Sequence, residues 1–172
     1  MAEIRSTLDI IMEKTRGLTM TEEEKTVMRD RELEGKTRGL VQKYLDGAIP
    51  MATFRKEWDQ WGKDQEKALP ILTRMCIENV EPEEENARLF ELLQEVAGVD
   101  TGLLNRVLDR SREDLETKRL ESRERIRKAL AASGITGSAI FPNLEADPEW
   151  KETVSETRQK LRAELRSCCS VK

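Results

Sequence analysis

The chain contains no histidine among its 172 residues. Chemistry that depends on an imidazole is therefore excluded, including Ser-His-Asp and Cys-His catalysis, histidine-ligated zinc sites and the Glu-x-x-His pairs of di-iron bundles. Aromatic residues are also few, at 4% of the chain, and hydrophobic residues amount to 37%. Because typical globular chains have roughly 45–50% apolar residues, we expect a thin core.

Export signals, long apolar runs and paired cysteines are missing as well. No stretch approaches the roughly 18 consecutive apolar residues of a membrane-spanning helix, and residues 1–7 show no basic region leading into an apolar run. Three cysteines are an odd number, which favours reduced thiols in the cytoplasm. We expect Cys76 to be a buried small hydrophobe, while Cys168 and Cys169 lack the further ligands of a metal site. We expect neither a metal nor a cofactor.

Charged residues make up 37% of the chain and are unevenly distributed. Residues 48–100 carry 6 basic and 12 acidic side chains, a net charge of −6, whereas residues 101–134 carry 9 basic and 6 acidic ones, a net charge of +3. Opposite net charges attract each other, so we expect these two segments to be in contact, within one chain or across a dimer.

Hydrophobic residues recur at spacings of three and four, and no segment alternates as a strand would. The sequence therefore predicts an all-α bundle of five to seven helices, with one long charged helix at about 102–133. Start and stop signals give the other boundaries. The first predicted helix is short and has Ile4, Leu8 and Ile11 on one face, and the second runs from the capping box Thr21–Glu24 to Asp46, with Gly47 as its stop. A seam helix begins at about 51, and the next helix runs from Glu81-Pro82 to Gly98. The long helix has Thr101 as its cap and Gly134 as its stop, and the last helix begins at Asp147-Pro148.

These elements divide the chain into three regions. They are the N-terminal helices at 1–47, which pack on the rest or on a partner chain, a central helical region at 48–134, and a loop with the C-terminal helix at 135–172. The central region begins with a heptad-like seam formed by Phe54, Trp58, Trp61, Gln65, Ala68, Leu72, Met75 and Asn79. Pro70 lies inside the seam and cannot donate to Glu66, so we expect the helix to kink or split there.

The long helix is charged in its middle, where 13 of the 19 residues from Arg110 to Lys128 carry a charge. A helix that is polar on all sides needs a neighbour or many ion pairs to persist. This pattern favours a homodimer in which the long helices cross or run antiparallel.

Two stretches are candidate partner-binding sites. Phe54, Trp58 and Trp61 lie at helical spacing, and exposed tryptophans are common in binding hot spots, although packing in a core or dimer seam is the simpler interpretation. Within Lys118–Lys128, a second set of side chains is suited to phosphate contacts: Arg119, Arg123 and Arg127. A solvated helix with ion pairs is the simpler interpretation of that stretch, the expected pairs being Glu121–Arg125 and Glu124–Lys128.

Residues 40–58, LVQKYLDGAIPMATFRKEW, resemble the short helical hairpin of SHOCT-type segments, in which a Leu-rich helix precedes Gly-x-Ile, a capping residue and a Phe with charged neighbours. Pro50 stands where those segments have Thr or Ser, which alters the cap. The resemblance implies oligomerisation through the hairpin and no catalytic residue. Residues 1–7 and 12–15 resemble uncharacterised helical bacterial proteins.

Together these patterns predict a non-enzymatic helical interaction or scaffold protein that self-associates as a homodimer and binds an unidentified protein partner, away from membranes. The alternative is an RNA- or ribosome-associated factor that uses the basic stretch against phosphates. Affinity that falls steeply with salt would distinguish this alternative from an apolar helix interface.

Overall fold

The fold consists of α-helices in the computed structural model, which describes residues 21–137 and 140–169. The helices are α1 (Glu22–Leu45), α2 (Met51–Asp59), α3 (Asp64–Glu78), α4 (Ala87–Glu95), α5 (Thr101–Ala132) and α6 (Pro148–Cys169), with a 3₁₀ turn at Leu144–Ala146. No strand occurs within these residues, and the predicted all-α bundle of five to seven helices is confirmed. The predicted short helix with Ile4, Leu8 and Ile11 lies outside the described residues.

Helix α1 begins and ends at the predicted signals. Oγ1 of Thr21 accepts from the backbone N–H of Glu24 at 3.2 Å, and Oε2 of Glu24 accepts from the N–H of Thr21 at 2.8 Å, which completes the capping box. At the other end Gly47 has a φ of 75°, a left-handed conformation that glycine adopts without steric penalty. The guanidinium of Arg88 donates to the carbonyl of Tyr44 at 2.8 Å, so α4 caps the C-terminus of α1.

The predicted seam is divided between α2 and α3, and the break lies away from Pro70. The chain turns at Gly62, whose φ is 52°, and Nε2 of Gln65 donates to the carbonyl of Trp58 at 2.8 Å across this turn. Helix α3 runs unbroken through Pro70, so the predicted split at that residue is wrong. Because Pro70 and Glu66 are both exposed, water can replace the hydrogen bond that proline removes.

Helix α3 lies at the centre of the bundle. Ala68, Leu72 and Cys76 follow one another at a spacing of four residues, and each has no exposed area. This stripe belongs to a core to which every helix contributes buried side chains, and α3 contacts α1, α4 and α6. Burying a leucine side chain contributes about 1.5–3 kcal/mol, so Leu72 alone contributes noticeably to stability in a chain with few apolar residues.

The predicted helix start at Glu81-Pro82 is wrong, because α4 begins at Ala87. The buried side chain of Asn86 holds the intervening residues in a turn. Its Nδ2 donates to the carbonyls of Glu81 and Glu84 at 2.8 and 2.9 Å, and its Oδ1 accepts from the N–H of Glu81 at 3.2 Å. Asparagine side chains that bond to nearby backbone compete with helical hydrogen bonding, which explains the later start.

The predicted long helix is present as α5, which is continuous over 32 residues and spans about 48 Å. Its N-cap is Asp100 instead of the predicted Thr101, because Oδ1 of Asp100 accepts from the N–H of Gly102 at 2.8 Å. Gly134 follows the helix with a φ of 81°. No helix in the described ranges combines the length and apolar character needed to cross a bilayer.

A second, smaller cluster lies where α5 meets the beginning of α6. Leu115 packs with Leu144 and Trp150, and the half-buried side chains of Ile126 and Val154 pack against them. The charged middle of α5 is therefore anchored to a neighbouring helix of the same chain, through few apolar side chains.

We predict that Leu72→Ala lowers the free energy of unfolding by about 3–4 kcal/mol, because the substitution leaves a cavity at a fully buried position. The matched control is Leu120→Ala on α5, whose leucine is 57% exposed and whose loss should cost less than about 0.5 kcal/mol. Urea unfolding followed by far-ultraviolet circular dichroism measures both variants. Equal losses would contradict the central position of α3.

Candidate interaction surfaces

A row of aromatic side chains leads from the core to the surface. Tyr44 contacts Phe54 edge-on with ring centroids 5.8 Å apart, and Phe54 stacks on Trp58 at 6.0 Å. The centroids of Trp58 and Trp61 lie 5.2 Å apart. Phe54 and Trp58 are buried, so these two predicted partner-binding residues belong to the core instead. Trp61, at the end of the row, is half-buried.

Trp61 lines an open cleft of about 530 Å³ between α1 and the α2–α3 turn, which we call the α1 cleft. Most of its walls are charged or polar, and the lining residues are Arg29, Asp30, Glu32, Leu33, Lys36, Gln60, Trp61, Asp64 and Lys67. Small-molecule sites are mostly apolar and enclose their ligand. An indole on an open, charged surface is more typical of a protein-binding site, where tryptophan is enriched.

The first half of α1 borders this cleft and contains no buried residue. Every residue from Thr21 to Glu32 is exposed, and burial begins at Leu33. We call Glu22–Glu32 the exposed half of α1. Its two large apolar side chains, Val27 and Met28, are each 51% exposed. Met28 lies one turn before Glu32, a residue that lines the α1 cleft, so the apolar pair and the cleft form one continuous surface.

Two arginines of the basic stretch are held by other elements. Arg119 pairs with Glu83, and its guanidinium lies over the ring of Trp150 at 5.6 Å from the centroid. Arg125 pairs with Asp147 and Glu149, at the beginning of α6, instead of the predicted Glu121. Of the three predicted phosphate-binding residues, Arg119 is therefore engaged by other parts of the protein.

Of the remaining basic residues, Lys118 contacts Asp114 and Thr157, whereas Arg123, Arg127 and Lys128 are exposed. Lys128 and Arg127 each lie 3.9 Å from Glu124, so the predicted Glu124–Lys128 pair is present as a loose contact. Arg123 is exposed and has no acidic partner among the described residues. Of the three predicted phosphate-binding residues, Arg123 is the one that is fully available to an anion.

Acidic side chains around the turn before α4 meet arginines of α5 and α6, in what we call the Glu–Arg junction. Its members are Glu78, Glu81, Glu83, Arg112, Arg119, Arg158, Arg162 and Arg166. Oε1 of Glu81 lies 2.9 Å from Nη2 of Arg162, and its Oε2 lies 2.6 Å from Nε of Arg158. The Glu83–Arg119 pair shows that residues 48–100 and 101–134 make ionic contact within one chain, as their net charges predict.

The titratable groups near these surfaces are held in place by hydrogen bonds and ion pairs. Burial and a hydrogen bond to the Glu91 carboxylate raise the pKa of Tyr44, so its hydroxyl stays protonated at neutral pH and donates to Glu91. In the described part of the chain, no three cysteine, aspartate or glutamate side chains converge as metal ligands would. The arrangement is suited to binding through ionic and indole contacts.

Sequence patterns missed two residues that organise the Glu–Arg junction. Asn86 immediately precedes a run of apolar periodicity, and as a favoured N-cap residue type it could have moved the predicted start of α4 to Ala87. Arg112 donates to the backbone carbonyls of Pro82 and Glu84 at 2.7 and 2.9 Å. No local pattern distinguishes Arg112 from the other arginines of α5, because its partners are far away in sequence.

Comparison with models of protein families, with curated proteins and with solved structures finds no match for this chain. The SHOCT-type resemblance of residues 40–58 therefore stays a prediction.

We predict that Glu81→Gln lowers the free energy of unfolding by about 1–2 kcal/mol, because it leaves Arg158 and Arg162 close together without their shared counter-charge. Glu84→Gln is the matched control, since the Glu84 side chain is exposed on the same turn and has no ion pair there. Urea unfolding at low salt gives both values. If both variants match the unsubstituted protein, the junction does not stabilise the fold.

Proposed function

We propose that the protein is a non-enzymatic helical interaction protein of the cytoplasm, which self-associates through the exposed half of α1 and the adjoining α1 cleft. One observation carries the proposal: three turns of regular helix, Glu22–Glu32, persist in α1 without a single buried residue. A helical segment of this kind is typical of a surface that is covered by a partner.

The energetics of short helices support this proposal. Isolated helices of fewer than roughly 12–15 residues are marginal in water, because few hydrogen bonds offset the cost of nucleation. The capping box at Thr21 contributes about 1 kcal/mol, and the continuation into the packed part of α1 helps. Burial of Val27 and Met28 against a partner would add apolar contact that the described residues do not provide.

The charge pattern of the exposed half favours a second copy of the chain as the partner. Its first turn is acidic, with Glu22, Glu23 and Glu24, and two basic side chains, Arg29 and Arg31, follow in alternation with Asp30 and Glu32. In an antiparallel pair related by a two-fold axis, the acidic turn of one copy would face the basic residues of the other. The same patch would then serve both copies, as a closed dimer requires.

Other features support a binding role in a reducing compartment. The described cysteines, Cys76, Cys168 and Cys169, are free thiols. Several acidic side chains that could act as general acids or bases are engaged by arginine, such as Glu81 and Glu83. An engaged carboxylate is a poor candidate for catalysis, because its charge is already neutralised by a fixed partner.

Light scattering after size exclusion tests the proposal. We predict a mass near twice 19.8 kDa for the full chain. The double variant Val27→Glu and Met28→Glu should give a mass near 19.8 kDa, because two buried carboxylates would oppose the interface. Leu120→Glu is the control on another exposed apolar position and should remain dimeric.

Two results would contradict the proposal. A monomer at every concentration of the unsubstituted protein would exclude self-association. If the double variant remains dimeric and the Leu120→Glu variant becomes monomeric, the interface lies on α5 and away from the exposed half of α1.

RNA binding is the second candidate, and the free guanidinium of Arg123 is the observation that favours it. Three phosphate contacts, through Arg119, Arg123 and Arg127, would weaken binding to single-stranded RNA by about 20-fold between 50 and 200 mM salt. We expect no saturable binding of a labelled RNA at about 50 mM salt, because two of these arginines already contact acids. Saturable binding with that salt dependence, reduced in Arg123→Ala, would support RNA association instead.

A further inference from the structure

The C-terminal ends of α3 and α6 each carry a cysteine that faces the core. On α3, Cys76 follows the buried Leu72 at a spacing of four. On α6, Cys169 follows the buried Leu161 and Leu165 at the same spacing. Side chains four residues apart share a helix face, so each cysteine continues an apolar stripe. Cys76 is one of the buried residues of the core, and Cys169 packs against that core.

Ion pairs give the register between the two helices. Glu81, just beyond α3, pairs with Arg162, and Glu78 pairs with Arg166. The partner of the earlier residue, Glu78, lies later in α6 than the partner of Glu81. The chain therefore runs in opposite directions along α3 and α6, and the two helices are antiparallel. Cys76 lies two residues before Glu78, and Cys169 lies three residues after Arg166, so the same antiparallel register places the two cysteines at neighbouring levels of the two helices.

The electrostatic surroundings of the thiols agree with this register. Burial, and then the charge of a neighbouring Cys169 thiolate, raise the pKa of the Cys76 thiol to about 12. Burial and the adjacent Cys168 raise the pKa of Cys169. Both thiols are therefore protonated at neutral pH, so the reduced pair is uncharged and fits an apolar core.

The vicinal cysteines are a less suitable pair. Adjacent residues of a helix point in directions about 100° apart, and their Cα atoms are about 3.8 Å apart. Disulfides usually require a Cα separation of about 4.4–6.8 Å. Cys168 and Cys169 lie within regular α6, so a bond between them would distort the end of that helix.

We propose that Cys76 and Cys169 are a site of reversible thiol oxidation, at which a peroxide converts the two thiols into an intramolecular disulfide. Cys169 reacts first, because it is half-buried whereas Cys76 has no exposed area. Because burial raises the pKa of Cys169, only a small fraction of it is ionised at neutral pH, and this fraction reacts. The thiol releases its proton to solvent, the thiolate attacks one peroxide oxygen, and the O–O bond breaks, which gives a sulfenic acid and a hydroxide that takes up a proton to form water.

The sulfur of Cys76 then attacks the sulfenic sulfur of Cys169. The S–S bond forms, the S–O bond breaks, and the hydroxide leaves with the Cys76 proton as a second water. In total, two thiols and one hydrogen peroxide give one disulfide and two waters, and two electrons pass from sulfur to oxygen. The bond would tie the C-terminal end of α6 covalently to α3.

Peptide mapping of the full chain tests this site. The protein is treated with hydrogen peroxide, alkylated and digested with trypsin without reduction. Cys76 falls in the peptide 75–88, and Cys168 and Cys169 fall in 167–172. We expect a disulfide that links these two peptides, a loss of about 2 Da from the intact monomer, and a fall from three free thiols to one.

Two matched variants identify the partner in the shared peptide. Cys168→Ala should retain the link to 75–88, and Cys169→Ala should lose it, with circular dichroism showing that both remain folded. The proposal is overturned by a bond between Cys168 and Cys169, by a link that survives Cys169→Ala, by disulfide-linked dimers, or by thiols that are not lost or are converted only to higher oxides.

Discussion

Burial of one face of α3 is the constraint on which the rest of the fold depends. The chain has few hydrophobic residues, and the stripe at Ala68, Leu72 and Cys76 has no exposed area on a helix that contacts α1, α4 and α6. Each neighbouring helix is placed by the need to cover this stripe. The aromatic row that ends at Trp61 then extends the same core to the surface, which is why a half-buried indole lies beside the exposed half of α1.

Charge supplements this thin core mainly by fixing how the helices align. Single exposed ion pairs contribute at most about 1 kcal/mol, so their number says little about stability. The Glu–Arg junction differs, because Glu81 is shared by arginines from two successive turns of α6. Arg112 also donates hydrogen bonds to backbone carbonyls of the turn before α4. Together these contacts set the register between α6 and the end of α3.

Local signals predicted the helices well, and long-range partners could not be predicted from them. The capping box at Thr21 and the glycine stop at Gly47 are complete within a few residues, and both are present. The turn held by Asn86 was missed because a proline followed by acids is an equally good helix start in isolation. Whether Trp61 lies at the surface depends on how α1 packs against α3, which periodicity alone does not specify.

The proposed dimer covers the exposed half of α1 with a second copy of the chain. Hydrogen–deuterium exchange at two protein concentrations measures this contact, because backbone amides report local protection. We expect that amides of residues 25–32 exchange slowly in concentrated solution and quickly after dilution below the dimer dissociation constant, while Leu33–Leu45 stays protected throughout. Fast exchange of residues 25–32 at both concentrations, or slow exchange at both, would contradict it.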